Sequence, residues 1–491
     1  MNQDYQEKLK KAQYFVNERA KDIQGTQWRQ AYHISAPAGW INDPNGLVQF
    51  KGEYHVFYQF HPFDPNWGPM YWGHVKSSDL VHWEHLPIAL APFEAYDKDG
   101  CFSGSAVVDQ DMLKLIYTGN QWLQSDHSEL KQVQCLAESS DAVTFKKYQS
   151  NPVLSEVPKD GCSHFRDPKV WKYKEKWYMV LGSKKEEKGN ALLYSSKNLI
   201  DWDYLGVLAA NSGGNLGYMW ECPDFFPLKD KHILLLSPEG IQQEGNQFVN
   251  LKQTGFYIGD FDYETLNYTQ ESFKELDSGH DLYAAQTFED SKGRRILIAW
   301  MDMWESEMPT KKDGWAGALT LPRELSLNEK GTLLMNPVEE LTALREERIL
   351  QRKHLWVEKA EKLASGLLME IEAELNLSAS SFSEVGFEFR ASGKQKTILS
   401  YSSSNGALSL DRSQSGEGPG GKRVVYLDNR QTLKLRIFLD RSSIEVFINE
   451  GEHTLTSRIY PDAESDGTIV FAENGKAMFS HLSLWRLKDI W

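Results

Sequence analysis

One unit recurs five times along the first part of the chain, and few folds accommodate such a repeat. Each copy is an apolar run rich in Val, Ile, Tyr and Trp, a short polar turn, and a second apolar run, which is the pattern of a β-hairpin. The copies begin near residues 43, 104, 167, 222 and 285, at spacings of 61, 63, 55 and 63 residues. The downstream halves repeat as well. Ser77-Ser78-Asp79-Leu80-Val81-His82-Trp83 matches Ser139-Ser140-Asp141-Ala142-Val143-Thr144-Phe145, and matches 195–202 with one insertion. A fixed period with several strands per unit marks a solenoid or propeller. Five units of this length predict a five-bladed β-propeller over residues 31–337, with the first strand of each blade lining a central channel. The alternative is a sandwich of ordinary hairpins, which leaves the recurrence of both halves unexplained.

Three of the five copies open on a carboxylate beside a proline: Asn42-Asp43-Pro44-Asn45-Gly46, Arg166-Asp167-Pro168-Lys169 and Glu221-Cys222-Pro223-Asp224. A ring gathers such side chains around one axis. Glycoside cleavage needs two carboxyl groups of opposite protonation state, one to attack or orient a nucleophile and one to protonate the leaving oxygen. Crowding separates their pKa values. Asp43, in a turn rich in Asn and Gly, is expected to stay ionised and act as nucleophile. Glu221, between Trp220 and Cys222-Pro223, is expected to have a raised pKa suited to acid/base work. Asp167 supplies a fixed anion that can hold hydroxyls as an oxocarbenium-like transition state forms. Each segment alone also reads as a turn or a strand end.

Composition narrows the function classes. The 491 residues carry a formal net charge of -15 and no long Lys/Arg run, so a nucleic-acid footprint is absent. No stretch is apolar enough to span a bilayer. Cys101, Cys135, Cys162 and Cys222 show neither metal nor disulfide spacing, which predicts reduced thiols and a cytoplasmic location. Residues 1–30 form a polar extension with Leu9, Ala12, Val16 and Ala20 at helical spacing. Residues 338–352, rich in Glu, Leu and Arg, read as a linker helix. Alternating runs within 353–491 predict a β-sandwich, so the whole chain is expected to be all-β. The sandwich faces can support a homodimer or remain exposed. No carboxylate constellation is visible there, and its expected role is packing.

The same segments resemble a known family. Trp40-Ile41-Asn42-Asp43-Pro44-Asn45-Gly46, Phe165-Arg166-Asp167-Pro168-Lys169 and Trp220-Glu221-Cys222-Pro223-Asp224 are similar to the three motifs of the invertases, glycoside hydrolase family 32. Asn66-Trp67-Gly68-Pro69-Met70, Phe102-Ser103-Gly104-Ser105, Tyr283-Ala284-Ala285-Gln286, residues 314–318, Leu321-Pro322-Arg323-Glu324-Leu325 and residues 440–447 extend the resemblance over nearly the whole chain. It implies a five-bladed propeller with a C-terminal sandwich and retaining hydrolysis of β-fructofuranosides. Asp43 would be nucleophile, Asp167 transition-state stabiliser and Glu221 acid/base. Asn42, Gln59, Trp67, Phe102, Ser103 and Arg166 match positions that line the fructose pocket, and Tyr283 and Trp300 match less closely. Strand alternation points Arg166 away from Asp167, so its contact with substrate rests on the resemblance. No cofactor or metal is implied; His33, His55, His61 and His74 read as structural. The expected partner is a small carbohydrate: sucrose, sucrose 6-phosphate or a short fructan. An arabinan- or xylan-cleaving propeller and a non-catalytic sugar-binding propeller are the rival readings. For a phosphate, Lys311, Lys312 and Arg323 are the candidate cations.

Overall fold

The computed structural model describes residues 3–428 and 430–491, so the first two residues of the expected N-terminal extension lie outside the described residues. After a helix over Gln3–Ile23, the chain builds five sheets of four or five strands and then two of six. The inner strands of the first five sheets are Gly39–Phe50, Gly100–Asp109, Phe165–Tyr173, Met219–Leu228 and Tyr283–Glu289. Each lies against the next, and the fifth returns to the first. This closed ring of sheets is a β-propeller. Trp315–Ala316 pairs in parallel with Gly39–Trp40 and ties the end of the ring to its beginning.

Both halves of the sequence repeat have local causes. The hairpin turns Lys51-Gly52 and Gln110-Asp111 hold both residues at positive φ, the type I′ geometry whose twist matches the flanking strands. In the Ser-Ser-Asp segments, Asp79 Oδ1 accepts from the backbone N–H of Val81 and His82, and Asp141 Oδ1 from those of Val143 and Thr144. Asn198 Oδ1 does the same with Ile200 and Asp201. Leu80, Ala142 and Leu199, one residue further on, all take positive φ. Ser196 therefore occupies the place of Ser77 and Asn198 that of Asp79, and the insertion expected in the third copy is not needed.

The helix docks through Tyr5, Ala12, Val16 and Ile23, which are buried against the first sheet's core. The two six-stranded sheets pack face to face around Ile371, Phe387, Leu410, Ile437 and Leu482 as a β-sandwich. The linker helix expected over 338–352 is confined to a short 3-10 helix over Glu339–Leu344. Arg345–Val357 is instead an edge strand paired with Lys476–Leu487. Leu, Glu and Arg favour helices, but intrinsic propensity is small and tertiary pairing overrides it. Arg345 anchors the start of the strand: it stacks 3.7 Å from the Trp485 ring and holds Glu370 through two bonds of 2.7 Å.

Propeller and sandwich meet across a buried ionic network. His33 places Nδ1 2.8 Å from Asp440 and Nε2 2.8 Å from Glu445, and Arg323 Nη2 reaches Glu445 at 2.7 Å and Nη1 reaches Asp277 at 3.1 Å. Arg323 is therefore a junction residue, completely buried, and not a phosphate contact.

Candidate active site

Every inner strand breaks its register near the site, and the first does so a second time at 46–47. Two residues on the inner strand face one on its neighbour at 42–43, 167–168, 222–223 and 284–285, and Ser103 is the extra residue of the second blade. A β-bulge bends the strand and re-aims its side chains. Asp167, Cys222 and Ala284 lie at the first bulge position with φ of 64°, 49° and 53°. The three carboxylates do not share a repeat position. Asp43 is the second bulge residue, Asp167 the first, and Glu221 the residue just before the bulge. The stagger brings them around one cavity of about 330 Å³. It also turns Arg166, the residue before Asp167, into that cavity, which strict alternation would forbid.

Each carboxylate is held differently. Asp43 is buried and accepts from Asn42 Nδ2 at 2.9 Å and Ser103 Oγ at 2.6 Å, with the Cys222 thiol 3.6 Å away. Asn42 is itself fixed by Trp40 Nε1 at 2.8 Å. Asp167 accepts from the Cys222 N–H at 2.9 Å, and its own N–H donates to Thr118. Glu221 Oε1 accepts from Arg166 Nε and Nη2 at 3.1 and 2.8 Å, and Oε2 accepts from the Tyr283 hydroxyl. Beneath them Asp224 accepts from Lys169 at 2.8 Å and from the Thr287 N–H at 2.6 Å, joining three blades. Gly182 lets the strand carrying Glu221 come close, since a Cβ there would sit 2.2 Å from the Trp220 carbonyl oxygen.

The electrostatics reverse the sequence expectation. Burial pushes Asp43 upward, and burial, only partly offset by Arg166, lifts Asp167 to about 7. Burial would raise Glu221 too, but Arg166 and Lys252 outweigh it and hold Glu221 at about 2. The flanking Trp and Pro residues suggested an apolar setting; two cations from other segments decide it. Glu239 shares both cations, with Arg166 Nη2 at 3.5 Å and Lys252 Nζ at 3.3 Å, and facing the Glu221 charge raises it.

Asp167 folds with its pKa above the unfolded value, so the charge opposes folding above pH 7 and that cost fades as pH falls toward 4. Asp167→Asn keeps an acceptor for Cys222 and removes the charge. At pH 8 it should stabilise the protein by on the order of 4 kcal/mol, from roughly three pKa units, while abolishing activity. Thermal unfolding at pH 5 and pH 8 checks this: an equal or lower Tm at pH 8 contradicts it.

Of the residues expected at the site, Asn42, Asp43, Gln59, Trp67, Phe102, Ser103, Arg166, Asp167 and Glu221 line the cavity. Tyr283 is behind it and acts through Glu221. Trp300 is completely buried, packed on Trp40 and Trp304 at 5.7 and 5.1 Å, and does not face the cavity. Trp122, Leu130, Gln132, His164, Lys252 and Trp304 line it as well and were not foreseen. Lys252 and Trp304 come from irregular segments outside the repeat, where no periodicity points to them. Trp122 and Gln132 sit on the second and third strands of the second blade.

Models of two family domains cover almost the entire chain: glycosyl hydrolases family 32 N-terminal domain over residues 33–337, and the family's C-terminal domain over residues 340–486. The chain belongs to glycosyl hydrolase family 32. This family 32 protein is 43% identical to the sucrose-6-phosphate hydrolase of Zymomonas mobilis, over 98% of this chain and 96% of that one. It is 42% identical to the raffinose invertase of Escherichia coli, covering 96% and 97%. A Bombyx mori GH32 beta-fructofuranosidase variant solved in complex with sucrose superimposes with a TM-score of 0.87 at 38% identity, covering 100% and 99%. Among the described residues no group of His, Cys, Asp and Glu is placed to hold a metal, and no helix is long and apolar enough to cross a membrane.

Proposed function

We propose that this protein is a retaining β-fructofuranosidase that hydrolyses sucrose and sucrose 6-phosphate. The observation that carries the reading is the convergence of Asp43, Asp167 and Glu221, each from a bulged inner strand, on one cavity whose remaining wall is mainly aromatic and amide, with two cations, Arg166 and Lys252. Asp43 attacks the anomeric carbon of the fructosyl unit while Glu221 protonates the departing glycosidic oxygen. Water then opens the fructosyl ester with Glu221 acting as base, and configuration is retained. Asp167 stabilises the positive charge that develops on the ring. Retention requires Asp43 and Glu221 to stand roughly 5–5.5 Å apart.

Glu221 must carry a proton to act as acid, and in the free site two cations hold it ionised. Glu221 and Glu239 share Arg166 and Lys252, so the pair titrates together and ionisation of one favours protonation of the other. Through the cations they share, the charge of Glu239 favours the protonated form of Glu221. Glu239→Gln should therefore shift the basic limb of the kcat/KM pH profile, whereas a packing role would leave the profile's shape unchanged.

The sucrose complex of the Bombyx mori relative and the names of the Zymomonas mobilis and Escherichia coli relatives support this substrate class. The four cysteines are all unpaired, which supports a cytoplasmic location. The test measures kcat/KM for sucrose and sucrose 6-phosphate and follows the first-formed fructose anomer by NMR. Release of the β-anomer from either substrate is the expected result. Turnover of neither substrate, or first release of the α-anomer, rules the reading out.

A further inference from the structure

The charges around the cavity are not evenly spread. Asp43 stands among neutral donors, Asn42 and Ser103, while both cations that reach the cavity, Arg166 and Lys252, stand beside Glu221. Glu221 protonates the leaving oxygen, so this is the side on which the leaving sugar must lie.

The two cations differ in how fully they are used. Arg166 is committed: Nε and Nη2 hold Glu221, and Nη1 is 3.1 Å from His164 Nδ1 and 3.5 Å from Gln132. Lys252 is not. Its ammonium stands 3.3 Å from Glu239 and 3.9 Å from Glu221, and 5.4 Å from the Trp304 ring centroid, in a cavity wall where its side chain keeps 21% exposure. A lysine ammonium has three donors and swings on a flexible stem, so it can turn from these long contacts toward an anion. The other candidates are occupied elsewhere. Lys312 is paired with Glu417 at 2.9 Å, Arg323 is sealed in the junction, and Lys311 lies over Trp40 and does not line the cavity.

We propose that Lys252 is the specificity residue that binds the phosphate of a phosphorylated leaving-group sugar. The inference rests on the fructosidase reading above and adds the group that separates sucrose 6-phosphate from sucrose. Lys252 meets a dianionic phosphate at the cavity wall while Trp304 flanks it. Binding there also draws the cation away from Glu221, which eases protonation of the acid. Recognition and acid catalysis are thereby linked in the phosphorylated substrate alone.

The experiment compares wild type with Lys252→Met and Lys252→Arg, using kcat/KM for both substrates and inhibition by glucose 6-phosphate against glucose. Removing Lys252 also alters the surroundings of Glu221, so the readout is the ratio of the two kcat/KM values, in which an effect common to both substrates cancels. Wild type should favour sucrose 6-phosphate. Lys252→Met should lower the ratio by about 10- to 100-fold, the range of one charge-assisted contact. Inhibition by glucose 6-phosphate should weaken in parallel, and Lys252→Arg should restore most of both. A wild type that hydrolyses both sugars without preference overturns the proposal, as does a ratio that Lys252→Met leaves within twofold. Hydrolysis of neither sugar by wild type sinks the fructosidase reading itself and the proposal with it.

Discussion

Asp43→Asn should yield a folded protein with kcat for sucrose lowered by about 10⁴-fold or more, the scale on which loss of a catalytic group acts. The carboxylate is buried at the second bulge position with donors already aimed at it, Ser103 at 2.6 Å and Asn42 at 2.9 Å. An amide at that position is nearly isosteric and cannot form the fructosyl ester. It also removes a charge whose burial raises its pKa, so the melting temperature at neutral pH should hold or rise. That combination separates a catalytic defect from an unfolding one. Glu221→Gln gives the complementary result. It should cripple sucrose, whose leaving alcohol needs a proton, and spare a fructosyl donor with a good leaving group such as fructosyl fluoride. Asp43→Asn should fail on both donors. Equal loss on both for Glu221→Gln, or surviving sucrose turnover in Asp43→Asn, would remove these roles.

Much of this architecture is legible in the sequence because its causes are local. Lys51-Gly52 and the Asp79, Asp141 and Asn198 turns are set by residues two or three apart, and they recur with the repeat. Alternation over 432–437 reflects one buried and one wet face, whereas Ser443–Ile448 is buried on both. What resists reading depends on contacts distant in sequence. The strand over Arg345–Val357 has helix-favouring residues, and only its pairing with Lys476–Leu487 makes it a strand. The stagger of Asp43, Asp167 and Glu221 depends on where each hairpin slips by one residue, which the motifs alone do not encode. The charge state of Glu221 depends on Arg166, 55 residues away, and on Lys252 in a segment with no regular structure. Its immediate neighbours Trp220 and Cys222 point to the opposite shift. Motifs locate a carboxylate; its environment is assembled from the other blades.

His33→Gln should loosen the propeller from the sandwich and erase a pH dependence that the wild type shows. The imidazole is fully buried, which alone would keep it neutral, yet both ring nitrogens face carboxylates and the pair holds its pKa at about 9. The cation ties Asp440, which also caps the backbone N–H groups of Ala31 and Tyr32, to Glu445, which also binds Arg323 and the Leu321 N–H. The motif around 440–447 and the Leu-Pro-Arg segment thus meet at one imidazolium. Because the folded pKa lies above the unfolded value of roughly 6.5, the contribution is complete below pH 6.5 and disappears as pH rises through 9. Roughly 2.5 units correspond to on the order of 3 kcal/mol. Glutamine keeps one donor and no charge, leaving buried carboxylates unbalanced, a defect that costs about 3–5 kcal/mol. The wild-type melting temperature should therefore fall between pH 6.5 and 9.5, and the variant should start lower and fall less. Limited proteolysis at the 338–345 connection should speed up in the variant at pH 6.5 and in the wild type only near pH 9.5. A His33→Gln protein that kept the wild-type slope would place the titrating group elsewhere, and the junction would then be held by its other contacts, among them the pairs of Arg323, Arg412–Asp281 and Arg458–Asp302.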